Sequence, residues 1–167
     1  MTLLPNIGLI RATMTDYSGL LKLANYYNHA LIPYDDGSPP KDETYFRSFV
    51  EAKEHITFIV TLDSKNAGFA LLKKIRDSDT WMISEFFILE EYQGRNIGTF
   101  VVRELLKKIP GSWKLLVRTN NIKAIHFWRK SIASFTGIAP EEKLEKFGNP
   151  FKPTKRVAFY FDTDIYK

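Results

Sequence analysis

Residues 80–100, TWMISEFFILEEYQGRNIGTF, decide the fold. The first part of this stretch, residues 81–89, is almost continuously apolar and rich in aromatic and branched side chains, which is typical of a strand buried on both faces. One carboxylate, Glu85, interrupts that run. A turn with two glycines follows, and after it apolar residues recur at helical spacing. The stretch therefore predicts a strand, a tight turn and a helix in direct succession.

The turn itself is Gln93-Gly94-Arg95-Asn96-Ile97-Gly98, and it has the properties of an anion site. A strand that leads through a tight turn into a helix directs backbone N–H groups and the positive end of the helix at one point. The turn is not a P-loop, because Thr99 and Phe100 stand where a Lys-Ser/Thr pair is required. It also lacks the third glycine of the dinucleotide fingerprint. We therefore predict a phosphate-binding turn of another kind.

Length and composition are those of an ordinary globular domain. With 167 residues, the chain is expected to form one domain over residues 1–167. The hydrophobic fraction of 44% and the charged fraction of 26% are usual for such domains. No apolar run has the length of a membrane span, and the first ten residues lack the basic start of a signal peptide. Since the chain also has no cysteine, we expect a cytoplasmic protein with no membrane partner.

The charge pattern does not favour nucleic-acid binding. The formal net charge is +5, but the basic residues are scattered in short pairs instead of forming a stripe with interleaved aromatic residues. We therefore expect a solvated basic surface and no nucleic-acid partner. A modest positive surplus also suits an anionic cofactor.

Apolar periodicity and turn residues predict the element order β-α-α-β-β-β-α-β-α-β-β. The segment 133–153 is the hardest to interpret. Its beginning, residues 133–136, is strand-like, and a charged excursion with glycine and proline follows. The other strands are predicted at residues 7–12, 55–62, 67–75, 81–89, 113–118 and 156–162, and the helices at 17–31, 42–53, 97–109 and 121–131.

The turn resembles the loop of a known enzyme family. Gln93-x-x-Asn96-x-Gly98 is similar to the Gln/Arg-x-x-Gly-x-Gly/Ala loop of the GNAT superfamily, the acetyl-CoA-dependent N-acetyltransferases. In that family the loop wraps the pyrophosphate of coenzyme A. Asn96 departs from the pattern, since glycine is usual there, but asparagine tolerates positive φ better than other non-glycine residues. We therefore expect the turn to survive the substitution.

A second motif and the element order support the same resemblance. Asn121-x-x-Ala124-x-x-Phe127-Trp128 resembles the family's Asn-x-x-Ala-x-x-Phe/Leu-Tyr helix, which flanks the pantetheine arm of coenzyme A. The predicted order of strands and helices also matches the GNAT fold. The resemblance thus implies an α/β protein with a mixed, mostly antiparallel central sheet of six to seven strands flanked by about four helices.

The resemblance further implies a place for acetyl-CoA or coenzyme A. In the family the pantetheine arm inserts like an added strand between two diverging strands, pairing here with the backbone of Phe87 and Ile88. One of their N–H groups would also face the thioester carbonyl and stabilise its developing negative charge. The loop would hold the pyrophosphate, with Arg95 adding a charge-assisted contact. The implied cofactor residues are Phe87, Ile88, Gln93, Gly94, Arg95, Asn96, Ile97, Gly98, Thr99, Asn121, Ala124, Phe127 and Trp128.

Glu85 is the candidate catalytic residue. A primary amine arrives as ammonium at neutral pH, because such groups titrate near ~10, and it must lose a proton before attack. A carboxylate in an apolar strand has a raised proton affinity and can accept that proton. Many family members carry a glutamate at this place, but a Glu85 that only binds its neighbours remains the alternative. The family tyrosine that often protonates the leaving thiolate is replaced here by Trp128, which leaves the source of that proton open.

The loop of residues 32–40 is the predicted binding site of the acceptor amine. Tyr34, Asp35 and Asp36 are candidate substrate-binding residues for a cationic amine, although Asp-Asp-Gly-Ser is equally typical of an exposed turn. The acceptor class remains open: polyamine, amino sugar, amino acid, peptide N-terminus or protein lysine. His29 and His55 have no metal-ligand spacing, so we predict no metal.

Three functions remain to be compared. The leading hypothesis is an acetyltransferase that acts on a small-molecule amine by direct attack in a ternary complex, since the chain has no cysteine for an acyl-enzyme. The alternative is a catalytically silent acyl-CoA-binding sensor or interaction module of the same fold, which the departures at Asn96 and Trp128 favour and Glu85 opposes. A nucleic-acid-associated protein is the third. A homodimer is left open.

Overall fold

A seven-stranded sheet in the order β1-β2-β3-β4-β5-β7-β6 forms the middle layer of the protein. The computed structural model describes residues 5–164, so the first four residues considered above lie outside it. The strands are β1 (Ile7–Arg11), β2 (His55–Leu62), β3 (Lys65–Lys74), β4 (Trp81–Ile88), β5 (Ser112–Arg118), β6 (Glu141–Phe147) and β7 (Thr154–Asp162). The α-helices are α1 (Tyr17–Ala30), α2 (Glu43–Glu51), α3 (Ile97–Lys108) and α4 (Ile122–Thr136).

Strand pairing is antiparallel between described neighbours except for β4 and β5, which run parallel. The exception follows from connectivity, because α3 carries the chain back across the sheet between these two strands. The mixed, mostly antiparallel α/β fold predicted from the sequence is confirmed.

Helices cover the two faces of the sheet in pairs. On one face, α1 and α2 pack against Ile59, Phe69, Leu71 and Phe87. On the other face, α3 and α4 pack against residues such as Ile83 of β4 and adjoining strands. Both faces of β4 are therefore covered, which is why its sequence is apolar in almost every position.

The segment 133–153 differs from its prediction. Residues 133–136, predicted as a strand, form the last turn of α4, which ends at Gly137 with a left-handed φ of 81°. The helix continues because Ile132 and Thr136 lie on its buried face. The strand of this segment is β6, which the sequence prediction missed. It lies at the sheet edge and is largely exposed, so its charged residues carry no burial pattern.

None of the helices within residues 5–164 is both long and apolar enough to cross a membrane.

Candidate active site

The site begins where β4 and β5 separate. The two strands pair only from Trp81 opposite Trp113 to Ile83 opposite Leu115. Beyond that point β4 continues to Ile88 beside β3, whereas β5 continues to Arg118 beside β7. A wedge-shaped opening results, with one strand edge on each side.

A bulge in β4 marks the start of this opening. Leu71 of β3 pairs with Glu85 and Leu72 pairs with Ile83, so Ser84 is the extra residue. The hydroxyl of Ser84 is buried and has no protein hydrogen-bond partner among the described residues. A bulge re-aims the side chains that follow it, and here it precedes the candidate catalytic residue.

Backbone alternation decides which β4 groups face the opening. The N–H of Leu89 donates to the carbonyl of Ala67 at 2.8 Å, and Phe87 lies opposite Phe69 in the same ladder. In an antiparallel pair the groups alternate in direction, so the backbone of Phe87 faces β3 and that of Ile88 faces the opening. Of the two backbones predicted to contact pantetheine, only that of Ile88 is directed there.

Glu85 lies on the face covered by α1 and α2. The hydroxyl of Tyr27, from α1, donates a short hydrogen bond to Oε2 of Glu85. The hydroxyl of Tyr45, from α2, donates to Oε1 at 3.1 Å. One tyrosine therefore holds each carboxylate oxygen, and the carboxylate is fixed in orientation between two helices.

Burial dominates the proton affinity of this group. It raises the pKa of Glu85, and the hydrogen bonds from Tyr27 and Tyr45 and the charge of Lys41 offset that rise only in part. Burial and the neighbouring carboxylate also raise the pKa of each tyrosine, so both hydroxyls remain protonated donors. Glu85 is thus a carboxylate with enhanced basicity.

A cavity of about 500 Å³ occupies the opening and extends towards α1 and the loop that follows it. Ser84 and Glu85 line it from β4, and Leu116 and Arg118 line it from β5. Trp128 of α4 closes part of its wall. A void of this size accommodates a small molecule beside Glu85.

The predicted anion turn has left-handed backbone at two positions. Gly94 has φ of 77° and Asn96 has φ of 60° with ψ of 12°. Asn96 is the N-cap of α3, but its side chain makes no capping hydrogen bond. At the start of α4, in contrast, the Asn121 side chain accepts from the N–H of Ala124 at 3.1 Å. The first turn of α3 therefore keeps N–H groups that no cap residue uses, which suits an anion.

Two residues of this turn have structural contacts of their own. Gln93 donates from its amide nitrogen to the carbonyl of Ile88 at 2.7 Å and accepts from Lys123 at 3.1 Å. A Cβ added to Gly98 would lie 3.0 Å from the ring of Phe127, so a larger residue there would require that ring to shift by a few tenths of an ångström. Of the other predicted turn residues, Arg95 is exposed, Ile97 is buried and Thr99 is half-buried.

The predicted second-motif residues lie on α4 beside the opening. Asn121 and Ala124 line the cavity together with Trp128. Trp128 is buried, and its ring lies 5.1 Å from those of both Phe86 and Phe127. It is therefore part of the core as well as of the cavity wall.

The loop predicted to bind the acceptor is tied to the sheet. Asp36 forms ion pairs with Arg156 at 3.0 Å and Arg118 at 3.8 Å, and Arg118 also donates to the carbonyl of Tyr34 at 3.0 Å. Asp35 is exposed and lines the cavity, whereas neither Tyr34 nor Asp36 is among its lining residues. Asp36 is thus neutralised by arginine and does not offer a free negative charge to a cationic amine, contrary to our expectation.

Sequence reasoning missed the partners of both carboxylates. Tyr27 was part of an apolar helical stripe, and Tyr45 lay in a predicted helix with no motif. Arg118 and Arg156 were the ends of predicted strands. Their convergence depends on contacts between residues far apart in the chain, such as 120 positions for Arg156 and Asp36.

Comparison with solved structures finds the same fold in acetyltransferases. An acetyltransferase from Thermus thermophilus matches with a TM-score of 0.69 and 17% identity, covering 97% of this chain and 99% of that one. Spermidine N-acetyltransferase from Vibrio cholerae, solved with CoA and spermine, matches with a TM-score of 0.69 and 18% identity over 96% and 97%. Ribosomal-protein-S18-alanine N-acetyltransferase from Escherichia coli matches with a TM-score of 0.65 and 17% identity over 96% of each chain.

At these identities the similarity shows the fold alone. Among curated proteins, no sequence matches this chain significantly. The sequence model described as the acetyltransferase (GNAT) family, however, matches residues 23–132, which include the bulged strand, the anion turn and most of α4. The match covers more than half of the chain, and on that ground the protein belongs to the GNAT acetyltransferase family.

Proposed function

We propose that this protein transfers an acetyl group from acetyl-CoA to a primary amine by direct attack in a ternary complex. One observation carries the proposal: Glu85 lies in the opening between β4 and β5, with each carboxylate oxygen held by a tyrosine hydroxyl. A base of raised proton affinity, in a cavity next to a free strand edge, is what amine acylation requires.

Residues of this chain fit coenzyme A at both ends of the opening. The outward-facing N–H of Ile88 offers a hydrogen bond to the pantetheine arm, while the Ile88 carbonyl accepts from the Gln93 side chain. The left-handed backbone at Gly94 and Asn96 and the uncapped first turn of α3 offer N–H groups to the pyrophosphate. When bound, acetyl-CoA supplies the acetyl group as an activated thioester.

Glu85 prepares the acceptor. An ammonium group that enters the cavity loses its proton to the Glu85 carboxylate, directly or through a water molecule, and becomes a nucleophilic amine. Tyr27 and Tyr45 hold the carboxylate in place during this step. The amine nitrogen would then bond to the acetyl carbon as the carbon–sulfur bond breaks. The nitrogen would give its second proton to water and the thiolate would take one from water, which yields the amide and free coenzyme A.

A route through an acyl-cysteine would need a thiol that this chain lacks. The sequence has no cysteine, so no thiol is available to carry the acetyl group covalently. Direct attack on the bound thioester needs only the amine and its base. The buried Trp128 cannot protonate the leaving thiolate, and we assign that proton to water.

The test is thiol release from acetyl-CoA, followed with a thiol reagent across primary amines: spermidine, glucosamine, amino acids and short peptides. The absence of cysteine removes protein background from this assay. We expect release that depends on the amine. No release with any amine, combined with a rise in melting temperature caused by CoA, would identify a silent acyl-CoA-binding module. No release and no thermal shift would contradict the proposal altogether.

A further inference from the structure

Two arginines face each other across the wall of the cavity. Arg118 of β5 and Arg156 of β7 are direct cross-strand partners. Like charges in this arrangement repel each other unless an anion lies between them. Asp36 provides one carboxylate, which accepts from Nε of Arg156 at 3.1 Å and lies 3.8 Å from Nε of Arg118. Two guanidinium groups thus share one carboxylate, and one positive charge remains in excess.

This excess charge belongs to the same cavity as Glu85. Both arginines line the cavity, although each side chain is only 13% exposed. Asp36, the Tyr34 carbonyl and the Ser38 hydroxyl use only some of the five N–H groups of each guanidinium. A guanidinium that is mostly removed from water binds a carboxylate strongly through the others.

Lys41 adds a third positive charge close to the candidate base. Its Nζ lies 4.7 Å from the centre of the Tyr45 ring, and the hydroxyl of that ring donates to Glu85. The Lys41 backbone is fixed by Asn28, which donates to its carbonyl at 2.8 Å and accepts from its N–H at 3.3 Å. The backbone of Lys41 is therefore fixed beside the cavity, and its ammonium group lies against the Tyr45 ring.

With Glu85 assigned to the incoming ammonium, Asp36 and Asp35 offset two of these three positive charges and leave one in excess. Asp35 is the other acidic lining residue besides Glu85, and it is exposed, with one carboxylate oxygen accepting from the N–H of Gly37 at 2.9 Å. Glu85 can neutralise one ammonium group of an acceptor. The further ammonium groups of a polycation would be repelled by the positive charges of Lys41, Arg118 and Arg156. The cavity thus selects against a polyamine and favours an acceptor with its own negative charge.

We propose that the acceptor is a small amine that also carries a carboxylate, with its amine beside Glu85 and its carboxylate beside Lys41, Arg118 and Arg156. This inference rests on the proposed function and names its substrate class. In such a complex Glu85 neutralises the reacting ammonium, and the excess guanidinium charge neutralises the carboxylate. Each charged end of the acceptor therefore lies beside a group of opposite charge.

The test compares amino acids with the amines that remain when their carboxylate is removed. The pairs are leucine with isopentylamine, phenylalanine with phenethylamine, and lysine with cadaverine, each assayed for thiol release from acetyl-CoA. We expect kcat/KM for at least one acid to exceed that for its matched amine by about tenfold. Faster reaction of the amine in every pair would overturn the inference and leave acetyl transfer standing.

Substitutions of Lys41 sharpen the comparison. Lys41→Met should lower the acid-to-amine ratio, and Lys41→Glu should lower it further, by about tenfold from the parent. Any effect of these changes on Glu85 acts on both members of a pair and cancels in the ratio. Lys65→Glu, at an exposed lysine at the start of β3, is the matched control and should leave the ratio unchanged.

The outcomes separate the two proposals. An acid-to-amine ratio that Lys41→Glu leaves at the parent value would overturn the inference. Absence of thiol release with every acid would also overturn it, because acids are the expected acceptors. Whether the protein is a transferase at all is then decided by the broader amine series and the CoA thermal shift.

Discussion

Glu85 and Asp36 are two partly buried carboxylates close to one cavity, and their surroundings have opposite effects on them. Hydroxyl groups of Tyr27 and Tyr45 bind Glu85, whereas guanidinium groups of Arg118 and Arg156 bind Asp36. Burial raises the pKa of both. At Glu85 that rise prevails, while at Asp36 hydrogen bonds from Ser38 and the two arginine charges outweigh it and lower the pKa.

Burial and partners together decide the role of each carboxylate, since Glu85 is the more deeply buried and is bound by neutral hydroxyls, whereas Asp36 is bound by Ser38 and two arginines. A neutral donor orients a carboxylate and leaves much of its proton affinity, so Glu85 is suited to accept a proton. A cationic partner removes that affinity, so Asp36 stays ionised and ties its loop to the sheet. We therefore expect substitution of Glu85 to reduce mainly activity and substitution of Asp36 to reduce mainly stability.

The largest effect is expected for Glu85→Gln, which keeps the shape of the side chain and removes its basicity. Turnover at neutral pH should fall by roughly 10²–10⁴. Affinity for acetyl-CoA, measured by thermal shift or calorimetry, should be unchanged because the coenzyme contacts lie elsewhere. Turnover at the parent level would exclude Glu85 as the base.

Asp36→Asn should instead reduce stability. It removes charge-assisted bonds to two arginines and leaves their repulsion, at a cost of about 1.5–3 kcal/mol in the free energy of unfolding. The matched control is Glu142→Gln, which breaks an exposed pair with Arg129 and should cost clearly less, because solvent screens that pair. Denaturant titration of the parent and both variants measures these differences.

The pH dependence of the Asp36 contribution has a definite sign. Because the pKa of Asp36 is lowered by folding, its stabilisation is present above the ordinary carboxyl pKa of about 4 and is lost as the pH falls through the folded value. The stability gap between parent and Asp36→Asn should therefore shrink in acid. A stability gap that does not change with pH would show that Asp36→Asn is less stable because asparagine differs in shape, and not because it lacks the negative charge.

A smaller effect is expected for Tyr45→Phe. The Tyr45 hydroxyl favours the ionised form of Glu85, so its loss should raise the pKa of that carboxyl further. The acidic limb of the pH–rate profile should therefore move to higher pH. Tyr17→Phe, which removes a hydroxyl bonded to the backbone carbonyl of Glu43, is the control and should leave the limb in place. A downward shift for Tyr45→Phe would contradict the assigned role.

Much of the fold could be predicted from local pattern. The apolar run of β4, the turn with Gly94 and Gly98, and the helical spacing after it identified the centre of the sheet correctly. Patterns of this kind record burial, so they fail where burial is weak. β6 is an exposed edge strand with charges of both signs and no apolar face.

The candidate site was only partly predictable. Glu85 was conspicuous because a carboxylate in an apolar strand is rare. Its partner Tyr27 was inconspicuous because a tyrosine in an apolar helical stripe is usually a core residue. Asp36 was chosen for its negative charge, and the two arginines that cancel this charge lie 82 and 120 positions further along the chain. No local pattern reports such a contact, since only the folded sheet brings the three together.

The most direct test of the account is the ratio of kcat/KM between the parent and Glu85→Gln as a function of pH, with one amine acceptor. If Glu85 removes the proton, the ratio is largest near neutral pH and shrinks as the pH approaches the amine pKa of about 10, where free amine no longer needs a base. A ratio that stays the same at every pH would assign Glu85 to architecture and contradict its role as the base.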